Sequence, residues 1–294
     1  MTSTKTTKEN NIFKKFYNIE SGENFLNDLK LIFTPPKFFN DFNELIPGYS
    51  PTELTNKIAI EIIDNDDFLT NMYHLYKDAV FLPETSDKFE LRKFLTCEEN
   101  IWLLKSMINN GYSKLIKTYK AITSEQIGIC CFTDDHLNEL MWAHYAESSK
   151  GFCITFNFNS YEFPVIDKGY INYTNIRPQI APDFIINDRN EFYHAMCFTK
   201  SPCWNYENEY RLIMDLEDCQ YFYKGKDKYY YKQINSEIID TIYIGPDSPY
   251  VNKHAYIKSI IGEKAKIINV VPNLKEFNYI EQRVLRGPVV YNKP

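Results

Sequence analysis

The chain has 294 residues, of which 44% are hydrophobic and 16% aromatic, with 23 Tyr and 21 Phe against 10 Gly. This composition is typical of a globular protein and excludes a disordered or fibrous chain. The formal net charge of -6 disfavours a broad nucleic-acid surface, and no apolar stretch reaches the roughly 18 residues that a bilayer-spanning helix requires.

The first half begins with short strands and continues with helices. Residues 1–11 are polar and predict a disordered tail, followed by a single α+β domain over residues 12–294. Strands are expected at residues 12–16 and 31–33, on either side of a possible helical turn. From residue 51 to about residue 120 the apolar positions recur at helical spacing. This pattern predicts a helical subdomain over about residues 51–120.

In the second half the hydrophobic pattern alternates between strand and helix periods. Strands are predicted at residues 127–132, 152–158, 169–173, 210–214, 238–244 and 267–271, and helices at residues 137–145, 189–198 and 250–261. A turn is predicted at Lys224-Gly225-Lys226-Asp227, within a local lysine patch that could meet an anion (Lys224, Lys226, Lys228 and Lys232). Strands mixed with helices and short turns predict an α+β fold with a mixed or antiparallel sheet core and a helical insertion in the first half.

Residues 204–211, with the sequence WNYENEYR, are the most informative segment. In an extended strand Glu207, Glu209 and Arg211 would share one face, with about 6.6 Å between the two glutamates along the backbone. Two such carboxylates could divide the work of glycosyl transfer, one stabilising positive charge and the other orienting a nucleophile. The alternative is a solvent-facing strand of an antiparallel sheet, on which Glu-x-Glu-x-Arg is common.

The predicted helix at residues 137–145 carries a second candidate group. Trp142, His144 and Tyr145 lie within four residues and offer one stacking plane and two hydrogen-bonding tips, which suit a nucleotide base or a ribose. The alternative is an amphipathic helix whose aromatic side chains pack in the core and whose histidine bonds a backbone carbonyl.

Metal, phosphate-loop and disulfide chemistry have little support in the sequence. The histidines show no paired spacing such as HExxH, and neither GxGxxG nor a P-loop occurs, so no metal site and no ordinary kinase or dehydrogenase is predicted. The seven cysteines form no CxxC pair and are odd in number, which favours reduced, buried thiols in a cytoplasmic protein. They are Cys97, Cys130, Cys131, Cys153, Cys197, Cys203 and Cys219.

Taken together, these segments resemble a bacterial family known as domain of unknown function number 2971. The resemblance is carried by Phe13-Lys14-Lys15-Phe16, residues 39–44, Cys131-Phe132-Thr133, Met141-Trp142-Ala143-His144-Tyr145, Gly151-Phe152, Lys200 and residues 204–211. The pairing of the MWxHY and WxYExEYR signatures is specific. Two positions depart from the family pattern: Phe42 stands where proline is usual, and Lys15 where an aromatic residue is usual.

The order of the motifs is similar to that of ADP-ribosyltransferases, in which residues from an early, a middle and a late strand converge on NAD. The resemblance implies Lys14 at the early position, Thr133 at the middle position and Glu209 as the catalytic glutamate. It further implies that Glu207 orients the acceptor and that Arg211 holds Glu209 ionised or meets a phosphate. The remaining substrate-binding residues that it implies are Asn40, Asp41, Trp142, His144, Tyr145, Trp204 and Tyr206.

The resemblance therefore implies NAD-dependent glycosyl transfer in a bacterial defence or toxin-type effector, with NAD as substrate and no metal. One alternative is a metal-dependent nuclease or other hydrolase that uses Asp41, Glu44, Glu207 and Glu209 as acidic ligands. Another is a noncatalytic module whose aromatic pocket binds a nucleotide or a peptide. The expected partner is a small nucleotide ligand rather than a membrane, and the sequence does not indicate the macromolecular acceptor.

Overall fold

The computed structural model describes residues 12–76, 87–159, 161–180 and 190–282, so the predicted disordered tail lies outside the described residues. The described chain divides into two compact units. The first is drawn from Met1–Thr34, Gly128–Ile171 and Cys203–Pro294, and the second from Pro35–Ile127 and Asn172–Pro202. The predicted helical subdomain falls within the second unit, and the single domain over residues 12–294 stays a prediction.

The secondary structure confirms the α+β class. The helices are α1 (Ile19–Asp28), α2 (Asn56–Asp64), α3 (Asp66–Tyr76), α4 (Lys88–Thr96), α5 (Ile101–Ser124), α6 (Glu139–Tyr145), α7 (Asn190–Cys197) and α8 (His254–Ile261). The strands are β1 (Ile12–Tyr17), β2 (Lys30–Phe33), β3 (Gly48–Tyr49), β4 (Ile127–Thr133), β5 (Phe152–Asn157), β6 (Asp167–Tyr170), β7 (Asn172–Tyr173), β8 (Gln179–Ile180), β9 (Thr199–Lys200), β10 (Glu209–Asp215), β11 (Gln220–Lys224), β12 (Asp227–Gln233), β13 (Ile239–Ile244), β14 (Lys266–Pro272) and β15 (Tyr279–Glu281). Among the described helices, none combines the length and the apolar character needed to cross a bilayer.

The first unit is built around a mixed sheet with the strand order β15-β14-β13-β5-β1-β4-β10-β6. The β13 and β14 strands are parallel, whereas β1 runs antiparallel to both β4 and β5. Consequently the strands β1, β4 and β10, which come from three distant parts of the sequence, are neighbours at the centre of the sheet.

Alternation along these strands separates an apolar face from a polar one. Phe13, Phe132 and Tyr210 belong to one large buried core, and the rings of Phe13 and Tyr210 are stacked 4.1 Å apart. Because side chains alternate between faces, the neighbouring residues Lys14, Thr133 and Glu209 point to the opposite face. On that face a smaller core forms, in which α6 packs through Met141 and Trp142.

A smaller sheet in the first unit has the order β11-β12-β2. The hairpin between β11 and β12 turns at Gly225, whose φ of +65° suits a tight two-residue turn and is readily adopted by glycine. Leu31 and Phe33 of β2 are completely buried in the large core, so one face of this sheet packs inward and the other faces solvent.

The second unit is mainly helical. Helices α2 to α5 surround a separate core whose fully buried members include Ile62, Leu91, Leu95 and Leu104. Two short parallel pairings, β3 with β8 and β7 with β9, complete the described part of this unit. The helical spacing of apolar residues between residues 51 and 120 thus corresponds to amphipathic helices that share one apolar core.

Candidate functional site

Helix α6 is held at its N-terminus by Asn138. The Asn138 side-chain oxygen accepts hydrogen bonds from the backbone N–H groups of Leu140 and Met141, at 3.0 and 3.2 Å. The same side chain donates through Nδ2 to the carbonyl oxygen of Tyr206, at 3.0 Å. Asparagine is a favoured N-cap residue, and here it also attaches the WNYENEYR segment to the helix that precedes it by some sixty residues in sequence.

Glu207 lies in a 3-10 helix rather than on a strand. The prediction that Glu207 shares one strand face with Glu209 and Arg211 is therefore wrong. The 3-10 helix spans Pro202–Glu207, and Asn208 follows with a φ of +44° before β10 begins at Glu209. A left-handed residue between the two glutamates interrupts the two-residue alternation on which the prediction depended.

The Glu207 side chain is nevertheless brought to α6. Its Oε1 accepts a hydrogen bond from the Tyr145 hydroxyl at 2.5 Å, and the residue is only 4% exposed. A buried carboxylate that receives a strong donor is stabilised in a fixed orientation. Tyr145 and Glu207, both named as candidates from sequence, therefore form one structural unit.

Glu209 and Arg211 form a buried ion pair at the start of β10. Arg211 Nε and Nη2 donate to the two carboxylate oxygens of Glu209 at 2.7 and 3.1 Å, which is bidentate geometry. Arg211 is completely buried and Glu209 is 4% exposed. Burial lowers the pKa of Arg211 to about 9, which leaves the guanidinium charged at neutral pH and able to hold Glu209 as an anion.

Lys14 and Thr133 lie opposite one another on β1 and β4. The Lys14 ammonium donates to the backbone carbonyl of Asp134 at 2.7 Å, and the Asp134 carboxylate accepts from the Tyr170 hydroxyl at 2.9 Å. Burial, reinforced by the bond to Asp134, raises the pKa of Tyr170 to about 12. The Lys14 and Thr133 side chains thus stand on the sheet face that also carries Glu209, whereas Tyr170 is paired with Tyr210 and lies on the opposite face.

The aromatic candidates separate into a buried member and accessible ones. Trp142 is completely buried, its indole N–H bonded to the carbonyl of His136 at 2.7 Å and its ring edge-on to Phe16. It therefore packs in the core and offers no stacking surface, which corrects its expected ligand-binding role. In contrast His144 is exposed, Trp204 and Tyr206 are half-buried, and the Tyr206 ring lies 6.0 Å from His144 and 6.1 Å from Trp204.

Asn40 and Asp41 belong to the second unit, in the loop after a 3-10 helix at Pro36–Phe38. Asn40 is exposed, and the Asp41 carboxylate accepts from the backbone N–H of Asn43 at 2.8 Å. In the same unit the ammonium of Lys200 lies 3.6 Å from the carboxylate of Glu44, and both side chains are buried. These residues form a polar cluster of the second unit.

A cluster that the sequence did not indicate surrounds His136. Its ring stacks on Tyr243 at 4.0 Å and its Nε2 lies 2.9 Å from the Glu281 carboxylate. Burial lowers the pKa of His136, and the Glu281 carboxylate opposes that shift. The sequence signal that could have indicated this cluster is the polar run Asp134-Asp135-His136, which directly follows a buried strand. Side chains in the loops at strand ends often line functional sites.

The described residues include neither a cluster of metal ligands nor a disulfide. Within the ranges that the structure describes, no group of three or more His, Cys, Asp or Glu side chains is arranged to hold a metal ion. All seven cysteines lie in those ranges and none takes part in a disulfide there.

The fold and this site define an α+β protein in which α6 and the start of β10 hold two buried carboxylates. Residues 141–212 match the family model described as Protein of unknown function (DUF2971). The matched segment runs from α6 to β10 and contains both signature motifs, which confirms the resemblance to that family over the segment that forms the site. The curated proteins and the solved structures gave no significant match.

Proposed function

We propose that this protein cleaves the nicotinamide–ribose bond of NAD and transfers the ADP-ribosyl group to an acceptor. The observation that carries the proposal is the buried, ionised carboxylate of Glu209, held by Arg211 at the start of a strand in the same sheet as the strands of Lys14 and Thr133. The early, middle and late strand positions of an ADP-ribosyltransferase thus correspond to three adjacent strands of one sheet.

The chemistry requires an anion at the reacting carbon. The bond between ribose C1′ and the nicotinamide nitrogen breaks, its electron pair stays on that nitrogen, and nicotinamide leaves as a neutral molecule. The ribose then carries oxocarbenium-like positive charge, which a carboxylate on its 2′-hydroxyl stabilises strongly in a dry environment. In this proposal Glu209 is that carboxylate, and the bidentate guanidinium of Arg211 favours its charged form.

Glu207 has a different role in this proposal. The acceptor oxygen attacks C1′ and loses its proton, and a carboxylate in a fixed orientation can receive that proton. Tyr145 fixes Glu207 through a hydrogen bond of 2.5 Å. The accessible aromatic side chains of His144, Trp204 and Tyr206 would stack on the base or the nicotinamide, and Trp142 would act through packing alone.

Incubation of the protein with NAD, with nicotinamide measured by chromatography, tests the proposal. We expect the wild-type protein to release nicotinamide and Glu209→Gln to lower the rate by at least about 100-fold, since glutamine keeps the shape and loses the charge. Glu207→Gln should leave NAD hydrolysis measurable and lower transfer to an acceptor, because in this proposal the Glu207 carboxylate acts on the acceptor alone. Glu217→Gln, at an exposed glutamate just beyond β10, is the matched control and should retain the wild-type rate.

Two results would reject the proposal. One is wild-type protein that neither binds nor consumes NAD, a result that does not depend on the folding of any variant. The other is a Glu209→Gln protein that is folded at the assay temperature and has an undiminished rate. If the metal-dependent nuclease alternative were correct, both Glu→Gln changes would abolish divalent-ion-dependent cleavage of nucleic acid to the same degree.

A further inference from the structure

The hairpin β11–β12 and strand β2 carry exposed and half-buried aromatic and basic side chains on both faces of the sheet, here called the tyrosine–lysine sheet. Its members are Lys30, Tyr221, Phe222, Tyr223, Lys224, Lys226, Lys228, Tyr229, Tyr230 and Tyr231. They lie in the first unit, and none of them belongs to the proposed NAD site. Residues 220–233 carry four lysines against one aspartate, although the whole chain has a net charge of -6.

The strand register shows which of these side chains share a face. Phe222 lies opposite Tyr229 and Tyr231 lies opposite Ile32, so the three aromatic rings line the face that points away from the buried side chains of β2. The rings of Phe222 and Tyr229 are stacked with 5.4 Å between centroids and 14° between planes. The result is a flat aromatic surface on the outer side of the sheet.

Further exposed rings lie on the opposite face of the hairpin, because Tyr221 and Tyr223 alternate with Phe222 along β11. In the described residues β11 pairs only with β12, and Tyr221 and Tyr223 are 54% and 65% exposed. Tyr229 is 36% exposed on the outer face. Large apolar rings left in solvent on adjacent strands are characteristic of a binding surface rather than of a folding core.

Lysine ammonium groups lie beside these rings. Lys30 Nζ is 5.4 Å from the centre of the Phe222 ring and 5.2 Å from that of Tyr231, and Lys228 Nζ is 3.9 Å from the Tyr221 ring. Lys226 projects from the exposed turn. Lys30, which also pairs with Asp28 at 3.0 Å, thus lies beside the outer rings, whereas Lys228 lies beside Tyr221 on the opposite face of the hairpin.

We propose that the tyrosine–lysine sheet binds single-stranded nucleic acid. Bases that are not paired can stack on the exposed rings, and the phosphates that link them are attracted by the adjacent ammonium groups. A duplex does not fit this arrangement, because its bases are already stacked on one another and only their edges are accessible in the grooves. The local excess of lysine supplies the charge complementarity that the acidic chain as a whole lacks.

Fluorescence anisotropy with a labelled oligothymidylate of about 20 nucleotides, and with the equivalent oligouridylate, tests the proposal at low salt. We expect wild-type protein to bind both strands, with an affinity that falls as salt rises, the logarithmic slope being about 1.5 to 3 if two to four phosphates are contacted. Tyr229→Ala should weaken binding on the order of tenfold, whereas Tyr229→Phe, which keeps the ring, should bind as wild type does. Tyr256→Ala, at an exposed tyrosine of α8, is the matched control and should have no effect.

The charge contribution is tested by Lys226→Glu, matched with Lys275→Glu at an exposed lysine distant from the hairpin in sequence. Both variants change the net charge equally, and only Lys226→Glu should weaken binding and reduce the salt slope. Absence of wild-type binding to either strand at low salt overturns the proposal. So does equal binding to a duplex of the same length, or equal loss of affinity in both lysine variants, because either result would indicate nonspecific electrostatic attraction.

Discussion

Arg211 is the largest completely buried charged side chain described, and Glu209 is its bidentate partner. Removing one member of a buried ion pair typically destabilises a protein by about 3–5 kcal/mol. We therefore expect Glu209→Gln to lower the free energy of unfolding by an amount in this range, measured by urea denaturation. Glu217→Gln, at an exposed position, should change it by no more than about 0.5 kcal/mol.

A double-mutant cycle separates the ion pair from general damage to the core. The loss of stability in the combined variant Glu209→Gln/Arg211→Met should be smaller than the sum of the two single losses, by about 0.5–3 kcal/mol. Strictly additive losses would contradict a direct interaction between the two side chains.

His136 provides a pH-dependent contribution at the scale of one residue. Burial lowers its pKa below the ordinary value of 6.5, and the nearby charge of Lys14 acts in the same direction, against Glu281 and Asp135. Below pH 6.5 the unfolded chain therefore binds more protons than the folded one, so stability is lost as pH falls through this region.

This prediction is checked by thermal unfolding at several pH values between about 7.5 and 5. The wild-type transition should fall more steeply with acid than that of His136→Gln, which keeps a side-chain donor for Glu281 but cannot take up a proton. Identical pH dependence in the two proteins would contradict the account of His136.

At the scale of elements, the start of β5 requires glycine. A Cβ atom at Gly151 would lie 2.0 Å from the carbonyl oxygen of Tyr17, at the end of the paired strand β1. Because the obstructing atom belongs to the backbone of a central strand, Gly151→Ala should destabilise the protein by several kcal/mol, on the order of the largest single-residue effects.

Gly111 is the contrasting case and serves as the control. It lies inside α5, and a Cβ atom there would meet nothing within 4 Å. Since alanine favours the helix over glycine by about 1 kcal/mol, Gly111→Ala should raise the free energy of unfolding. Urea denaturation of both variants measures the two changes in the free energy of unfolding. Equal changes of the same sign would contradict the contrast between Gly151 and Gly111.

At the scale of the whole molecule, the seven cysteines report on folding through their accessibility. Cys203 is exposed, whereas Cys130, Cys153, Cys197 and Cys219 are buried, and burial raises the pKa of Cys219 to about 11. Because the thiolate is the reactive form, a thiol reagent should modify Cys203 rapidly in native protein and the buried thiols only after unfolding.

The prediction is tested by counting thiols without prior reduction. Seven should react in denaturant, and Cys203→Ser should reduce the fast phase of the native protein by one thiol, since Cys97 and Cys131 are only partly exposed. Fewer than seven in denaturant would indicate a disulfide, and a fast phase of unchanged amplitude in Cys203→Ser would contradict the exposure of Cys203.

Local pattern predicted much of this fold. The strand periods at residues 12–16, 127–132 and 210–214 correspond to β1, β4 and β10, and the helical pattern over residues 137–145 corresponds to α6, whose Asn138 cap was not predicted from the sequence. These elements are readable because alternation and capping depend on residues a few positions apart. The period-2 alternation of a strand gave a wrong prediction for Glu207. The sequence there continues the alternating pattern, but Asn208 has a left-handed backbone conformation that interrupts the strand.

The sequence by itself determined the α+β class and the residue types of the candidate site, since both depend on local patterns of side chains. Only the tertiary structure decided that Glu207 meets Tyr145, that Trp142 is core, and that three distant strands are neighbours. Strand order arises from burial and pairing between segments that are far apart in the sequence. No local period records such pairing, because the free energy that selects it exists only when the whole sheet is assembled.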